Sequence, residues 1–437
     1  MKKKQSHIDD LHQQNGKRPH IAFFDYPDVF EDFYPHYGVT QEAFAKTWRN
    51  TANHARLKIV QEEIGNVTWY ALSLKPEFKE TATHEYVGCK VKFLSSSWLH
   101  RQLWKLFYSR IKSWKFRNRW YPTYATLASY FAIFSWQLFK TLRKDKPDVI
   151  FSQDYCSGRF DSLHFLAWWF RIPVVSVHSG STGKYMGTFL KRFTIPKTDW
   201  IFTSGKREEI FLKKKYKLNS SRMSIVRSPI NTSVYKPVCR ESACLAAGLD
   251  SDKRYMLFIG RLDDSVKRIS SIISAFQQVA VKFTDLDLLI LGSGKDEEKL
   301  KQQAAKQIPD RILFYGWVTK DEEKVRLLNI AECLVLASKR EGFPTVVGEA
   351  LACGLPVVSS DVGAISDLVI EDKTGWLFTP QDDKALLDRL LFVAGNPQKI
   401  KSMRSFIRHF AENQISVEAL TGSLKLGFSS LKLKSQL

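Results

Sequence analysis

The sequence has no closely spaced cysteines. Its six, Cys89, Cys156, Cys239, Cys244, Cys333 and Cys353, form neither CxxC pairs nor His-spaced metal patterns, which excludes a disulfide scaffold and reads as buried thiols of a reducing compartment. It also lacks the apolar stretch of a secretory signal: residues 1–18, opening Met1-Lys-Lys-Lys, are expected to form a short, basic, mobile tail. No run is long and apolar enough for a membrane span. Residues 120–139 are uncharged, but Pro122, Thr123, Thr126, Ser129, Ser135 and Gln137 make that stretch too polar, and a helix of a folded domain is expected there. Finally, no acid occurs between Glu85 and Asp145, where 12 Lys+Arg and 16 aromatic residues stand.

What is present is a chain of 437 residues with 44% hydrophobic and 25% charged residues, enough for two or three domains with full cores. The net charge is +21, and its distribution is uneven: residues 1–240 hold 40 Lys+Arg against 19 Asp+Glu, and residues 241–437 hold 26 of each. Only the first half is therefore suited to a polyanion, an acidic membrane face or nucleic acid.

From His20 onward, short apolar runs alternate with amphipathic stretches, the pattern of an α/β protein with mainly parallel sheets. The pattern breaks at Ser228-Pro-Ile-Asn-Thr-Ser-Val-Tyr-Lys-Pro237 and then restarts. The expected organisation is an acceptor-side domain over 19–228, an extended linker over 229–240 and a second domain over 241–437. Two doubly wound, Rossmann-like domains would face a central cleft lined by the carboxyl ends of their strands.

The most informative segment is Ala337-Ser-Lys-Arg-Glu-Gly-Phe-Pro-Thr-Val-Val-Gly-Glu-Ala-Leu-Ala-Cys-Gly354. It leaves a buried strand, turns at Gly342, and starts a helix that Pro344 is suited to open and Gly354 to close. Between Glu341 and Asp361 the only charge is Glu349, set among apolar residues, so it needs specific donors: ligand hydroxyls, or a structural cation such as a neighbouring Arg. In Phe258-Ile-Gly-Arg-Leu-Asp-Asp-Ser-Val-Lys-Arg268, Arg261 follows a strand and Lys267 lies near a helix start, where a cation is unfavourable unless an anion sits opposite.

Arg261-x5-Lys267 followed by Glu341-x7-Glu349 resembles retaining glycosyltransferase family 4, within the glycosyl transferases group 1, whose members have the two-domain GT-B fold. The resemblance runs from about Lys146 to Asn396 and includes Ile172-Pro-Val-Val-Ser-Val-His178, Gly354-Leu-Pro-Val-Val358 and Lys373-Thr-Gly-Trp-Leu377. It implies that Arg261 and Lys267 hold the diphosphate of a UDP- or GDP-sugar, that Glu341 contacts the sugar and that Glu349 accepts the ribose hydroxyls. Gly342, Phe343 and Thr345 would line the phosphate turn, and Gly292, Gly316 and Val318 the nucleotide pocket. Two cations can neutralise a leaving diphosphate without a metal. Asp285-Leu-Asp287, at the entry of its strand and so at the opposite edge, is given no metal role.

His178 ends a buried strand and precedes the polar loop Ser179-Gly-Ser-Thr-Gly183; the corresponding family histidine points toward the transferred sugar, which implies a catalytic position. Asp154 ends the neighbouring strand and is suited either to the site or to capping the next helix. Two departures from the family pattern stand out: the loop after the first strand offers Gly38 in place of paired glycines, and Asn231 replaces an Asp in the linker. Residues 97–119 predict a basic amphipathic helix with Leu99, Leu103, Leu106, Phe107, Ile111 and Trp114 on one stripe, suited to an anionic membrane surface.

The reading that follows is a metal-independent, retaining glycosyltransferase, peripheral on the cytosolic face of a membrane, acting on a glycan or lipid-linked acceptor. A soluble-acceptor transferase or a nucleotide-sugar epimerase of the same fold is the alternative. A nucleic-acid-binding module would leave Glu341 and Glu349 without a role.

Overall fold

The computed structural model describes residues 18–49, 51–107, 127–178 and 189–431. It divides into two compact units, one reaching Arg227 and resuming at Thr421, the other spanning Ser228–Leu420. The expected tail over 1–18 lies outside the described residues except for Arg18, as do residues 108–119 of the basic helix and the loop at 179–183.

The first unit is an eight-stranded sheet of β1 (His20–Phe24), β2 (Asn66–Ser73), β3 (Ala82–Thr83), β4 (Lys90–Ser95), β5 (Val149–Ser152), β6 (Val174–Val177), β7 (Trp200–Thr203) and β8 (Met223–Ile225). Their order is β3-β4-β2-β1-β5-β6-β7-β8, all parallel except the short edge strand β3 against β4. All four residues of each of β5, β6 and β7 are buried, as required where helices cover both faces of a parallel sheet.

The second unit is a six-stranded parallel sheet, β9 (Arg254–Ile259), β10 (Leu286–Leu291), β11 (Ile312–Gly316), β12 (Cys333–Leu336), β13 (Val357–Ser360) and β14 (Gly375–Phe378), in the order β11-β10-β9-β12-β13-β14. Helix Ile269–Lys282 covers it with Ile269, Ile272, Ile273, Phe276 and Val279 buried, the helical spacing visible in the sequence.

Each sheet starts near its middle, grows one way, then crosses back, so each has a switch point: β1/β5 in the first unit and β9/β12 in the second. Loops leaving the carboxyl ends of such strand pairs diverge and leave room for a ligand.

Three expectations are corrected. The segment over 229–240, expected as an extended interdomain linker, belongs to the second unit: Ile230 donates its N–H to Ile415 at 2.9 Å, and Arg408 donates to the carbonyls of Thr232 and Tyr235. Asn231 closes the turn there, its Oδ1 accepting from the Ser233 N–H at 3.1 Å. The chain end from Thr421 groups with the first unit rather than with 241–420; Phe428 packs edge-on to Phe151 and Lys425 pairs with Glu63 at 2.7 Å. The stretch at 120–139 is not one helix: its described part is helical over 127–131, turns, and restarts at Trp136–Asp145. Among the described residues no helix is long and apolar enough to cross a membrane.

Candidate active site

In the second unit, the loops after β9 and β12 are bound to each other. The Lys339 N–H donates to the Val266 carbonyl at 2.8 Å, and the Lys267 ammonium donates to the Glu341 carboxylate. Glu341 also accepts from the Ser338 hydroxyl at 2.7 Å. Both members of the ion pair are largely but not wholly shielded, with side chains 16% and 12% exposed, so the pair remains open to exchange with a ligand anion. Arg261, one residue beyond the Gly260 that follows β9, is exposed, and among the described residues its guanidinium takes part in no hydrogen bond or ion pair.

Glycines make the convergence possible. Gly292 adopts φ +145°, and a Cβ there would lie 1.9 Å from the Gly260 carbonyl oxygen; a Cβ on Gly294 would lie 2.5 Å from that of Leu262. These are side-chain-free contacts between the loops after β9 and β10, and the Gly292 N–H goes on to donate to Gly316 at 2.7 Å. Gly363, with φ +59°, presses the loop after β13 onto the backbone of Glu341 and Gly342, where a Cβ would lie 2.4 and 2.5 Å from their carbonyl oxygens. Nothing crowds the Cβ position of Gly316, and Val318 beyond it is half-buried.

Helix Thr345–Ala352 starts directly after this turn with Pro344 at its N-cap and no side-chain cap. The Val347 N–H donates to the Pro344 carbonyl at 3.0 Å, which leaves the Thr345 and Val346 N–H groups without an intrahelical acceptor; with the helix dipole these suit an anion. Phe343 is buried beneath the turn, while Thr345 is partly exposed. Gly354 closes the helix at φ +73°, as the sequence predicts.

Glu349, 4% exposed, is not left waiting for a ligand. Lys324 donates to its Oε1 at 3.1 Å and to the Tyr235 hydroxyl at 3.1 Å, and that hydroxyl donates to Asp321 at 2.8 Å. Burial raises the Glu349 carboxyl above its usual range, with Lys324 offsetting only part of the effect. The structural cation is thus a Lys from helix Asp321–Ile330 rather than a neighbouring Arg.

Asp285 and Asp287 lie at the amino edge of the sheet, and both are neutralised: Asp285 by Arg254 at 2.7 Å, and Asp287 by Lys253 at 2.8 Å and Arg311 at 2.5 Å.

In the first unit, the carboxyl ends of β5 and β6 bring Asp154 and His178 together, with Nδ1 3.3 Å from Oδ1 and both side chains buried. Asp154 takes the capping role open to it in the sequence and also contacts His178. It accepts from the Cys156 and Ser157 N–H groups at 2.7 and 2.8 Å, fixing the start of helix Gly158–Phe170, and it orients the imidazole. Burial opposes charge on His178, but Asp154 and the Cys156 sulfur, 3.8 Å from Nε2, outweigh it and hold the imidazole well above its usual range. Burial likewise acts to raise Asp154, but His178 and the Cys156 N–H outweigh it and leave the carboxyl depressed.

The loop after β1, where Gly38 replaces paired glycines, is stiffened by other means. Arg159 donates to the carbonyls of Tyr26 and Pro27, Ser129 to Asp28 at 2.9 Å, and Trp104 to Asp32 at 3.0 Å. Burial and the neighbouring Asp28 raise the Asp32 carboxyl to about 7.

The class defined by this fold is a pair of doubly wound α/β units with an anion-suited turn at the second switch point. Residues 246–410 match the family described as Glycosyl transferases group 1. Among curated proteins, lipopolysaccharide 1,6-galactosyltransferase of Escherichia coli K12 is 30% identical over 168 residues, 36% of this chain and 44% of that protein. Phosphatidyl-myo-inositol mannosyltransferase of Mycobacterium leprae is 35% identical over 156 residues, 36% of this chain and 41% of that protein. The chain thus spans less than half the length of these relatives. Among solved structures, Anabaena HepE in complex with UDP superposes with a TM-score of 0.67 at 14% identity, covering 94% of this chain and 100% of that one. Sucrose-phosphate synthase from Thermosynechococcus elongatus gives 0.65 at 18%, covering 93% and 97%. At such identities the likeness is one of fold, the GT-B architecture.

Lys324, Tyr235, Ser338 and Gly363 are absent from the sequence-based site. Lys324 alone carries a signal, a cation directly following the three acids Asp321, Glu322 and Glu323 that open its helix.

Proposed function

We propose that the protein is a retaining, metal-independent glycosyltransferase that moves a sugar from a UDP- or GDP-sugar to a lipid-linked or membrane-proximal acceptor, in the synthesis of a cell-surface polysaccharide or glycolipid. The observation that carries this reading is the ion pair of Lys267 with Glu341, just ahead of the start of helix Thr345–Ala352 at the β9/β12 switch point, with Arg261 exposed on the same loop as Lys267.

In this reading a donor diphosphate takes Lys267 away from Glu341, recruits Arg261 and the free N–H groups of the helix start, and so neutralises the charge that develops as the sugar departs. Glu341, released from Lys267, accepts the sugar hydroxyls, and Glu349 the ribose hydroxyls. The acceptor hydroxyl passes its proton to the departing phosphate, while the His178–Asp154 pair lies toward the acceptor. The family match over 246–410 supports the donor half of this reading. The lipopolysaccharide and phosphatidyl-myo-inositol in the names of two relatives support the lipid-linked acceptor. The basic segment over 97–119 and the uncompensated cations around it support a peripheral position on the cytosolic face of the membrane.

A thermal-shift series with UDP- and GDP-sugars tests the donor, since a ligand that binds only the folded state stabilises it, and more so the further its concentration exceeds its Kd. Arg261→Ala should abolish both the shift and the transfer while leaving the melting temperature without ligand unchanged. Wild-type transfer in that variant would overturn the assignment.

A further inference from the structure

Helix Gly158–Phe170 is apolar on both sides. Phe160, Leu163, Leu166 and Ala167 fill the core of the first unit, while Phe165, Trp168 and Trp169, three and four positions apart and so on one outward face, are 49%, 72% and 59% exposed. A helix that is apolar all round belongs in an interior, so this face has the character of a surface that something else covers.

The adjoining helix Trp136–Asp145 extends it. The Phe139 ring lies 5.7 Å from that of Trp136 and 6.4 Å from that of Trp169, and Phe134, just before this helix, lies 5.9 Å from Phe165. Trp136 is 70% exposed. Aromatic side chains bury about 150–250 Å² each, so the exposed parts of Phe134, Trp136, Phe165, Trp168 and Trp169 amount to on the order of 600 Å² of apolar surface, at or above the largest patch of an ordinary monomer.

Charge selects the occupant. The Lys140 ammonium sits 5.2 Å from the centre of the Trp136 ring, and Arg143, Lys144 and Arg171 are exposed at the ends of the two helices. The two acids on these helices are already engaged, Asp145 with Lys92 at 2.6 Å and Asp161 with Lys191 at 3.0 Å. Indoles flanked by unopposed cations match an anionic bilayer surface, where the rings sit at headgroup depth and the cations meet lipid phosphates.

We propose that the ridge formed by Trp136, Phe165, Trp168 and Trp169 inserts into the headgroup region of an anionic membrane. This rests on the reading of a membrane-proximal acceptor, and it adds an apolar contact distinct from the basic segment over 97–119, of which Trp98–Phe107 is helical. The apolar contribution predicts binding that survives, in part, salt concentrations that screen the cations.

The test uses the full chain and mixed phosphatidylglycerol–phosphatidylcholine vesicles. Wild-type protein should co-sediment with the vesicles, its tryptophan emission moving to the blue. Trp168→Ser/Trp169→Ser should lower the partition coefficient about tenfold or more and retain the wild-type thermal shift with donor. Lys140→Glu/Arg143→Glu should also weaken partition and lessen its dependence on the phosphatidylglycerol content. Unchanged partition of the double Ser variant, or no vesicle binding by the wild type, would overturn the proposal. A wild-type dimer that the Ser variant dissolves would do the same, because the ridge would then be covered by a second copy. Vesicle binding by the ridge with no thermal shift from any nucleotide sugar would instead sink the transferase reading and leave the ridge as a lipid contact.

Discussion

Lys267 and Glu341, 74 positions apart in sequence, form an ion pair at the carboxyl edge of the second sheet, and Ser338 donates to the same carboxylate oxygen. Arg261, on the same loop as Lys267, is exposed, and among the described residues its guanidinium makes no hydrogen bond or ion pair. In the proposed reading, an anion of higher charge displaces the carboxylate and takes these cations.

Lys267→Ala is therefore expected to weaken donor binding more than it weakens the fold. A charge-assisted hydrogen bond contributes about 1.5–3 kcal/mol, which corresponds to roughly 10–100-fold in affinity for a nucleoside diphosphate. Titration calorimetry with UDP and GDP measures this. Equal affinity in the variant would mean that the ammonium belongs to Glu341 alone. Glu341→Gln should separate the two functions, keeping diphosphate affinity within a few fold while lowering kcat.

The contact of Gly363 with the backbone of Glu341 and Gly342 predicts a different outcome. Gly363→Ala places a methyl group against two carbonyl oxygens at a positive φ, so the turn must move, at a cost of about 2–4 kcal/mol. Both melting temperature and donor affinity should fall. Gly316→Ala has open space at the same atom and only the φ strain of about 1 kcal/mol, which makes it the matched control.

These glycines show where sequence reasoning reaches its limit. Arg261 and Glu341 stood out as charged residues just beyond the ends of buried strands and Lys267 as a cation near a helix start, with the roles of all three implied by the family resemblance; β5, β6, β10 and β12 were legible because a fully buried strand is a short apolar run. Lys324 was not legible, since its partnership with Glu349 depends on how two helices pack. The same holds for Gly363, whose need to be glycine comes from a backbone approached in three dimensions. His178 was assigned through family resemblance; its pairing with Asp154 follows from the adjacency of β5 and β6, which alternating elements alone do not specify.

Glu349 and Lys324 give a double-mutant test. Lys324→Met leaves a buried carboxylate without its cation, at about 3 kcal/mol where the group stays ionised. Burial already raises that carboxyl, so the variant's penalty should be absent at acid pH, where the group is protonated in both states, and should appear as pH rises through the raised folded pKa. Lys324→Met/Glu349→Leu should recover most of the stability while failing to bind the donor. Denaturant unfolding at several pH values measures the first, calorimetry the second. Full donor affinity in the double variant would remove Glu349 from the ribose site.

The His178–Asp154 pair predicts a pH dependence of opposite sign on its two sides. The folded pKa of His178 is raised, so its share of the stability is complete below the ordinary histidine value of 6.5 and is lost as pH climbs through the folded value. Asp154 is depressed, so its share is present above the ordinary value of 3.8 and disappears only on strong acidification. Together they place the pair's largest contribution between those two ordinary values. Subtracting the unfolding free energy of His178→Gln from that of the wild type isolates this term from the other titrating groups. The difference should be flat across weakly acid pH and should fall at alkaline pH. A difference that instead grows with pH would mean that the imidazole is neutral in the folded protein, with Asp154 serving only as the cap of helix Gly158–Phe170.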